Sequence, residues 1–263
     1  MDTSYWKKQT VSKPLFPDIE WNKPERRDQR GKLLIVGGNK LGFAAVGESY
    51  ETAKEAGAGQ VRVLLPDCLK NTIPKTLLDV VFAPCNQSGS LSQDAAAELT
   101  ASSAWADGVL LIGDAGRNSE TAVLYEHFVQ QYVGPLTLTR DAIDLIKNNP
   151  KLLVERPDTV VVASFAQVQK LFQGVYYPKI LTFSMQLLQL VEALHKFTIT
   201  YPCTIATLHK DTIIIASGGE VVTQEWHNAM AIWRGSVATR AATYRLWNPA
   251  TAMESITGSL AAR

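Results

Sequence analysis

One segment constrains the fold of this chain more than any other. It is a buried strand that ends in two glycines, followed by a helix of small residues, a glycine turn and a second buried strand. The two strands, at 32–37 and 60–65, are short runs rich in Val, Ile and Leu, as expected for strands covered on both faces. Alanines keep the intervening helix, predicted over 43–56, narrow enough to lie close against a sheet. Such a unit is the βαβ building block of a parallel sheet.

The double glycine, Gly37 and Gly38, stands where the first strand ends. Backbone N–H groups can approach a ligand closely at such a point, because glycine has no side chain. The segment has neither the G-x-G-x-x-G spacing of a dinucleotide-binding turn nor the G-K-[ST] ending of a P-loop. The motif alone therefore supports neither class of nucleotide site.

Strands and helices alternate along the chain to about residue 196, and two or three strands then follow in quick succession. This order predicts a mostly parallel sheet with helices on both faces and an antiparallel hairpin at one edge. Strands are predicted over 32–37, 60–65, 78–83, 107–112, 135–139, 159–163, 203–208, 211–216 and 219–223. Helices are predicted over 43–56, 91–103, 118–132, 140–147, 164–173, 179–196, 227–246 and 250–260.

The first 30 residues differ in composition from the rest of the chain. They are polar, and their prolines disfavour helix. They also contain Trp6, Phe16 and Trp21, and a free tail seldom carries three such aromatic side chains. We therefore predict an extended arm over 1–30, held by these aromatics on the outside of a single domain over 31–263.

Charge and composition argue against several classes of partner. The formal net charge of +1 gives no electrostatic reason to expect nucleic acid or an anionic membrane. Cys68, Cys85 and Cys203 form no C-x-x-C pair, so we expect buried free thiols in a reducing cytoplasm, with neither a zinc site nor a disulfide framework. The four histidines show no metal-ligand spacing, and no metal site is predicted. The chain has no signal-peptide-like start and no apolar run of about 18 residues, so a cytoplasmic location is expected.

Ligands of open α/β sheets bind beyond the carboxyl ends of the strands. The strand ending at Gly113 is the most informative of these ends, because Gly113 and Gly116 can expose backbone donors before the next helix. A plain strand-to-helix turn explains the same glycines equally well. Arg140, at the next strand end, suits either a phosphate contact or a solvated surface. Asp141 and Asp144 suit either a ligand or the start of a helix, where acids favour the helix dipole.

Several short motifs follow one another in the order and spacing of a known family. They are Val36-Gly37-Gly38, Gly57-Ala58-Gly59, Ile112-Gly113-Asp114-Ala115-Gly116, the segment from Pro135 to Leu145, and Asn148-Asn149-Pro150. Within the fourth, Asp141 falls on the second of two family aspartates and Thr139 replaces the first. In these motifs the chain resembles the ADP/ATP-dependent NAD(P)H-hydrate dehydratase family, a branch of the ribokinase-like fold. The resemblance covers about 31–223.

The resemblance implies a three-layer α/β/α ribokinase-like fold and removal of water from hydrated NAD(P)H. It implies ATP or ADP as cofactor, with Mg²⁺, and small-molecule nucleotides as partners, and it is compatible with a homo-oligomer. By their positions in the family's motifs, the substrate-binding residues would be Gly38, Asn39, Gly113, Gly116 and Asp141. The nucleotide-binding residues would be His209, Lys210, Arg234 and Gly235.

The chain departs from the family where the chemistry would take place. Val162-Ala163-Ser164-Phe165-Ala166-Gln167 stands where the family carries T-P-H-P-G-E. The family's G-G-S-G-D loop, whose N–H groups hold phosphate and whose aspartate moves the proton, aligns with Ile232-Trp233-Arg234-Gly235-Ser236. Ser236 therefore stands at the position of the aspartate, and the catalytic residue remains unassigned.

Hydrophobic periodicity adds a second objection to catalysis. Met230, Trp233, Val237, Ala241 and Tyr244 recur at helical spacing and predict one apolar stripe on a continuous helix over 227–246. Gly235 would then lie inside that helix, where backbone N–H groups are already bonded to carbonyls. A phosphate could not bind there.

Three functions are compatible with these observations. The resemblance favours a divergent NAD(P)H-hydrate dehydratase-like protein with weak activity. Loss of the aspartate and of the glycine loop favours an inactive relative that keeps the fold as a nucleotide-binding or regulatory protein. A ribokinase-like small-molecule kinase is the third reading, and the same losses count against it.

Overall fold

The computed structural model describes residues 3–74 and 76–261, and its centre is a ten-stranded sheet. The strands are β1 (Trp6–Gln9), β2 (Lys32–Gly37), β3 (Gln60–Pro66), β4 (Val80–Ala83), β5 (Gly108–Gly113), β6 (Leu136–Thr139), β7 (Thr159–Ser164), β8 (Thr204–His209), β9 (Thr212–Ser217) and β10 (Glu220–Glu225). The helices are α1 (Ala44–Ala56), α2 (Ala96–Trp105), α3 (Ser119–Gln131), α4 (Asp141–Leu145), α5 (Lys151–Val154), α6 (Phe165–Gly174), α7 (Leu187–Thr200), α8 (Ala229–Arg234), α9 (Ser236–Arg245) and α10 (Ala252–Ala261).

The sheet order is β1-β10-β9-β8-β7-β6-β5-β2-β3-β4. Among the described strands, β9 alone runs opposite to the rest, because it pairs antiparallel with both β8 and β10. The other pairings are parallel, including that of β1 with β10. The predicted mostly parallel α/β sheet with an antiparallel hairpin towards one edge is therefore confirmed. The strand at that edge is β1, which the sequence reading placed in the arm.

Helices cover both faces of the sheet because its central strands are apolar on both faces. Side chains alternate along β2, so Leu34 and Val36 join one core cluster while Leu33 and Ile35 join the other. Residues of α1, α9 and α10 belong to the second cluster, whereas residues of α2, α3, α6 and α7 belong to the first. The result is the three-layer α/β/α arrangement.

The arm is more closely integrated than its composition indicated. The Trp6 indole N–H donates to the Thr223 hydroxyl (2.8 Å), and the buried Gln9 amide donates to Gln224 Oε1 (2.7 Å). These contacts attach β1 to β10 as part of the sheet rather than packing it on the outside. Trp21 is exposed and does not hold the arm, unlike Phe16, which packs beside Ile19.

The predicted continuous helix over 227–246 is wrong. The chain forms two helices, α8 and α9, separated by Gly235 in the left-handed conformation (φ 92°). A Cβ atom at Gly235 would overlap Ile112 Cδ1, so the break fits closely onto the end of β5. Met230 and Trp233 are 53% and 58% exposed, and they therefore belong to no buried stripe shared with α9.

The three cysteines match the prediction of buried free thiols only in part. All three thiols are free, but only Cys203 is buried; Cys68 is exposed and Cys85 is half-buried.

One predicted helix is displaced along the chain: the helix expected over 179–196 begins at Leu187. No helix built from residues 3–74 or 76–261 is long and apolar enough to span a bilayer.

Candidate functional site

The carboxyl ends of β2, β5, β6 and β7 lie along one edge of the sheet because these strands are parallel neighbours. Beyond them is a cleft of about 640 Å³, which we call the rim cleft. Its lining residues are Asn39, Asp114, Gly116, Arg117, Thr139, Arg140, Asp141, Asp144, Val162, Ser164, Ala166, Gln167, Lys170, Ile232 and Trp233. This is the edge at which ligands bind in open α/β sheets.

The two glycine loops singled out in the sequence are in direct contact. The Gly38 N–H donates to the Gly113 carbonyl (2.9 Å), and the Asn39 side-chain amide donates to the Asp114 carbonyl. Asn39 and Gly116 line the rim cleft, whereas Gly38 packs behind its wall, against Leu65. Of the five residues predicted to bind substrate, Asn39, Gly116 and Asp141 therefore line the cleft, and Gly38 and Gly113 shape the wall behind it.

Asp141 holds the loop that follows β5. Its carboxylate accepts backbone N–H groups from Asp114 (2.8 Å) and Ala115 (3.1 Å). Burial raises the pKa of this carboxyl, while the hydrogen bond from the Asp114 backbone acts in the opposite direction. Because each of its oxygens accepts one N–H of the loop, Asp141 positions the cleft wall.

Arg140 connects two sides of the cleft. Its guanidinium forms an ion pair with Asp114 and donates to the Arg234 carbonyl at the end of α8 (3.4 Å). Asp114 in turn accepts the backbone N–H of Ala45 in the first turn of α1 (3.0 Å). Arg140 and Asp114 both have positive φ angles, 58° and 52°, a conformation that is costly outside glycine and concentrates at functional sites. The sequence left two roles open for Arg140, a phosphate contact or a solvated surface position. The structure shows Arg140 in an ion pair with Asp114, so its side chain is not simply solvated.

Another wall of the cleft is formed by the start of α6. Ser164 and Gln167 form a capping box at its start, and Gln167 Nε2 also donates to the Arg140 carbonyl (2.7 Å) and to Asp144 Oδ2 (3.0 Å). Lys170, one turn further along, pairs with the same Asp144 carboxylate (3.3 Å). Sequence reasoning did not select Gln167 or Lys170. The S-x-x-Q spacing directly after a buried strand was the signal that could have marked this helix start.

The junction of α8 and α9 forms a further wall, where Ile232 and Trp233 line the cleft. The Ser236 hydroxyl, at the position of the family aspartate, donates to the Ala231 carbonyl (2.9 Å) and so helps to terminate α8. The side chain of Arg234 is exposed, and the backbone carbonyl of Arg234 accepts the hydrogen bond from Arg140. The helix break at Gly235 thus places the first turn of α9 next to Arg140.

The other two predicted nucleotide-binding residues, His209 and Lys210, do not line the rim cleft. His209 is 2% exposed and its Nε2 pairs with the Met185 carbonyl (3.0 Å), which argues against direct contact between its ring and a nucleotide. Lys210 is exposed in the turn between β8 and β9, at the same edge of the sheet as the cleft. Within residues 3–74 and 76–261, no group of three or more His, Cys, Asp or Glu side chains is placed to hold a metal ion.

Comparison with known proteins identifies the architecture. No protein-family model and no curated protein matches the chain. Solved structures do match, among them a ribokinase-like superfamily protein from Enterococcus faecalis, with 18% identity, a TM-score of 0.72, and coverage of 99% of this chain and 86% of the other. The chain has a ribokinase-like fold.

Two further structures show the same likeness. A hypothetical protein from Streptococcus mutans is 15% identical, with a TM-score of 0.69, over 92% of this chain and 84% of its own. The ADP/ATP-dependent NAD(P)H-hydrate dehydratase of Bacillus subtilis, co-crystallized with ATP and Mg²⁺ and soaked with CoA, is 12% identical, with a TM-score of 0.61, over 94% and 86%. At these identities the likeness is one of fold.

Proposed function

We propose that this protein is a ribokinase-like nucleotide-binding protein that takes a phosphorylated ligand in the rim cleft and turns it over weakly or not at all. One observation carries the proposal: each of the three carboxylates lining the cleft is already engaged. Asp114 is held by Arg140, Asp141 by two backbone N–H groups, and Asp144 by Gln167 and Lys170. In these pairings the three carboxylates hold the walls of the cleft together, and this is the role we assign to them in place of general-base catalysis.

Ser236 does not replace the missing base. Its hydroxyl is hydrogen-bonded to Ala231, and a serine hydroxyl needs an adjacent base to become reactive. Loss of one positioned acid–base group typically costs about 10²- to 10⁴-fold in rate. A weak or absent turnover is therefore expected for proton-transfer chemistry in this cleft, whether dehydration or phosphoryl transfer.

An anionic ligand is supported by Arg117, a cation of the cleft lining that forms no ion pair within residues 3–74 and 76–261. Arg140 and Lys170 line the same cleft, each paired with an aspartate. Arg140 also lies beside the first turn of α9, where the helix dipole favours negative charge. The B. subtilis structure was obtained with ATP and Mg²⁺, which makes a nucleoside triphosphate the natural first ligand to test. Asp114, Asp141 and Asp144 each pair with other groups of the cleft, and within residues 3–74 and 76–261 they do not converge on a ready Mg²⁺ site.

A dehydratase with residual activity is the second candidate, and the break at Gly235 favours it. The sequence predicted a continuous helix there, whereas in the structure α9 begins directly after Gly235. A helix N-terminus is what an anion-binding loop needs, because its first N–H groups are not bonded within the helix. Under this alternative the Gly235 junction would bind phosphate, and ATP- or ADP-dependent loss of water from hydrated NAD(P)H would be measurable.

Ligand titration tests binding with a matched pair of variants. ATP, ADP, NADH and NADPH are titrated while the thermal midpoint is followed, since a ligand at about 100 times its Kd adds about 2.7 kcal/mol to stability. K170Q should weaken binding about three- to tenfold through loss of one charge-assisted contact. K196Q is the control, because Lys196 pairs with Glu192 on α7 and its side chain is as exposed as that of Lys170 (62%). Absence of stabilisation by all four ligands would contradict the proposal.

A further inference from the structure

The tryptophans of this chain differ in how their side chains are held. Most of them are fixed by neighbouring groups: the Trp6 and Trp226 indole N–H groups donate to Thr223 and to the Asn228 carbonyl, Arg62 lies over Trp105, and Lys23 lies over Trp247. In the part of the chain that the structure describes, the side chains of Trp21 and Trp233 have no hydrogen-bond, ring or cation partner, and they are 85% and 58% exposed. Of these two, it is Trp233 that lines the rim cleft.

An exposed indole beside a cleft is informative because tryptophan offers a large, rigid apolar surface to a ligand. Met230 lies three residues before Trp233, on the same side of α8, and is 53% exposed. Single exposed apolar side chains need no explanation, whereas neighbouring ones mark ligand grooves and contact sites. The exposed side of α8 is therefore a candidate binding surface.

Helix α8 is held in place at both ends. At its start the Asn228 side chain accepts the N–H of Ala231 (3.2 Å), and at its end Arg140 donates to the Arg234 carbonyl (3.4 Å). Between them, Ile232 is buried in the core. The backbone of the tryptophan that follows Ile232 is therefore fixed before any ligand binds, which lowers the ordering cost of binding.

Apolar and cationic lining residues of the rim cleft come from different strand ends. Helix α8 packs against β7, and Val162 and Ala166, at the end of β7 and the start of α6, add apolar lining there. Arg117, the cleft cation without an ion pair among the described residues, follows β5. Because β6 separates β5 from β7, these two strands are about 10 Å apart. A ligand with a flat apolar ring at one end and negative charge at the other matches both groups.

We propose that Trp233 is the base-stacking residue of the rim cleft, and that the ligand is a nucleotide whose aromatic base lies on this indole. Its phosphates extend toward Arg117. This inference rests on the proposed function and narrows the ligand from any phosphorylated molecule to one that carries a flat aromatic ring. Stacking needs no hydrogen bond from the polar groups of the cleft, since every nucleobase presents a π face.

Replacement of Trp233 tests the stacking directly. W233A should weaken ATP binding about five- to hundredfold, the range for loss of one base–aromatic contact. W233F keeps a ring and should bind ATP within about threefold of the wild type. W21A is the matched control, because Trp21 is also exposed but does not line the cleft, and it should leave the ATP affinity unchanged. Calorimetric titration gives the affinities, and ATP should quench the tryptophan fluorescence of W233A less than that of the wild type.

Inorganic tripolyphosphate separates the contribution of the base from that of the phosphates. It has no ring, so W233A and the wild type should bind it equally. R117Q should weaken the binding of both ATP and tripolyphosphate about three- to tenfold, because both carry phosphate. Without ligand, W233A should unfold at nearly the same temperature as the wild type, since the Trp233 side chain is exposed.

The outcomes separate this inference from the proposed function. Equal ATP affinity in W233A and the wild type would overturn the stacking role and leave the proposed nucleotide binding intact. Weaker binding of tripolyphosphate to W233A would also overturn it, because the variant would then have disturbed the cleft as a whole. No binding of ATP by the wild type would overturn the inference as well. The proposed function would fail with it only if ADP, NADH and NADPH also left the wild type unstabilised.

Discussion

The Asp141 carboxylate occupies the space that a side chain on Gly113 would need. A Cβ atom on Gly113 would overlap Asp141 Oδ1, and Gly113 also has a positive φ of 95°. The same carboxylate accepts the N–H groups of the two residues that follow Gly113. The end of β5 and the start of α4 are therefore a single fitted unit that forms one wall of the rim cleft.

Gly113→Ala should destabilise the protein by about 2–4 kcal/mol, because the new methyl group clashes with Asp141 and the backbone becomes strained. Gly47→Ala is the control: Gly47 lies in α1 with open space around its Cα, and alanine there should stabilise by about 1 kcal/mol. Urea unfolding of both variants measures the difference. Two changes of equal sign and size would show that the Gly113–Asp141 fit is not tight.

Asp141 should give stability an unusual pH dependence. Its pKa is raised by burial, so the folded chain holds this proton more tightly than the unfolded chain does. Its contribution is fully present below the unfolded pKa of about 4 and is lost as the pH rises through the folded value. The free energy of unfolding of the wild type minus that of D141N should therefore fall as the pH rises above about 4. A difference that rises over this range would mean that the loop hydrogen bonds outweigh burial.

Gly235→Ala distinguishes two helices from one by the sign of its effect. With Gly235 in the left-handed conformation against Ile112, alanine should destabilise by about 1–3 kcal/mol. In a continuous helix the same change would stabilise by about 1 kcal/mol, since alanine is the better helix former. Thermal or urea unfolding gives the answer directly.

Gln9→Ala should loosen β1 from the sheet. The buried Gln9 amide donates to Gln224 Oε1 (2.7 Å) and to the Thr257 carbonyl (2.9 Å), and both acceptors would lose this donor. The expected cost is about 2–3 kcal/mol, with faster hydrogen exchange in β1. Lys13→Ala, at an exposed position of the same arm, should stay within about 0.5 kcal/mol. Unchanged exchange in β1 of Gln9→Ala would contradict this attachment.

The sequence was sufficient for features that depend on local pattern. Apolar runs identified β2 to β10 to within a few residues, and their alternation with helices predicted the mostly parallel sheet. The strand β1 was missed because four mostly polar residues, WKKQ, carry no such run. The break at Gly235 was missed because two consecutive helices can share a helical spacing of apolar residues even when the side chains face different surroundings.

The candidate site was less accessible from the sequence because its contacts are not local. Nothing near Arg140 in the sequence indicates its pairing with Asp114, and the engagement of Asp141 depends on how β5 and β6 lie side by side. The burial of His209 depends on Met185, in the loop before α7. The order of the motifs thus located the edge of the sheet at which the cleft lies. Which side chains are paired or buried there could be seen only in the tertiary structure.

Dehydration of hydrated NADH in the presence of ATP or ADP tests the central claim most directly. The absorbance of the restored dihydronicotinamide is followed, with the B. subtilis dehydratase in the same assay and nucleotide binding measured on the same sample. With every cleft carboxylate engaged, we expect the rate to be at least about 10²-fold lower than that of the B. subtilis enzyme, while a nucleotide still raises the thermal midpoint. A rate close to that of the B. subtilis enzyme would contradict the account, because it would require a free catalytic base in the rim cleft.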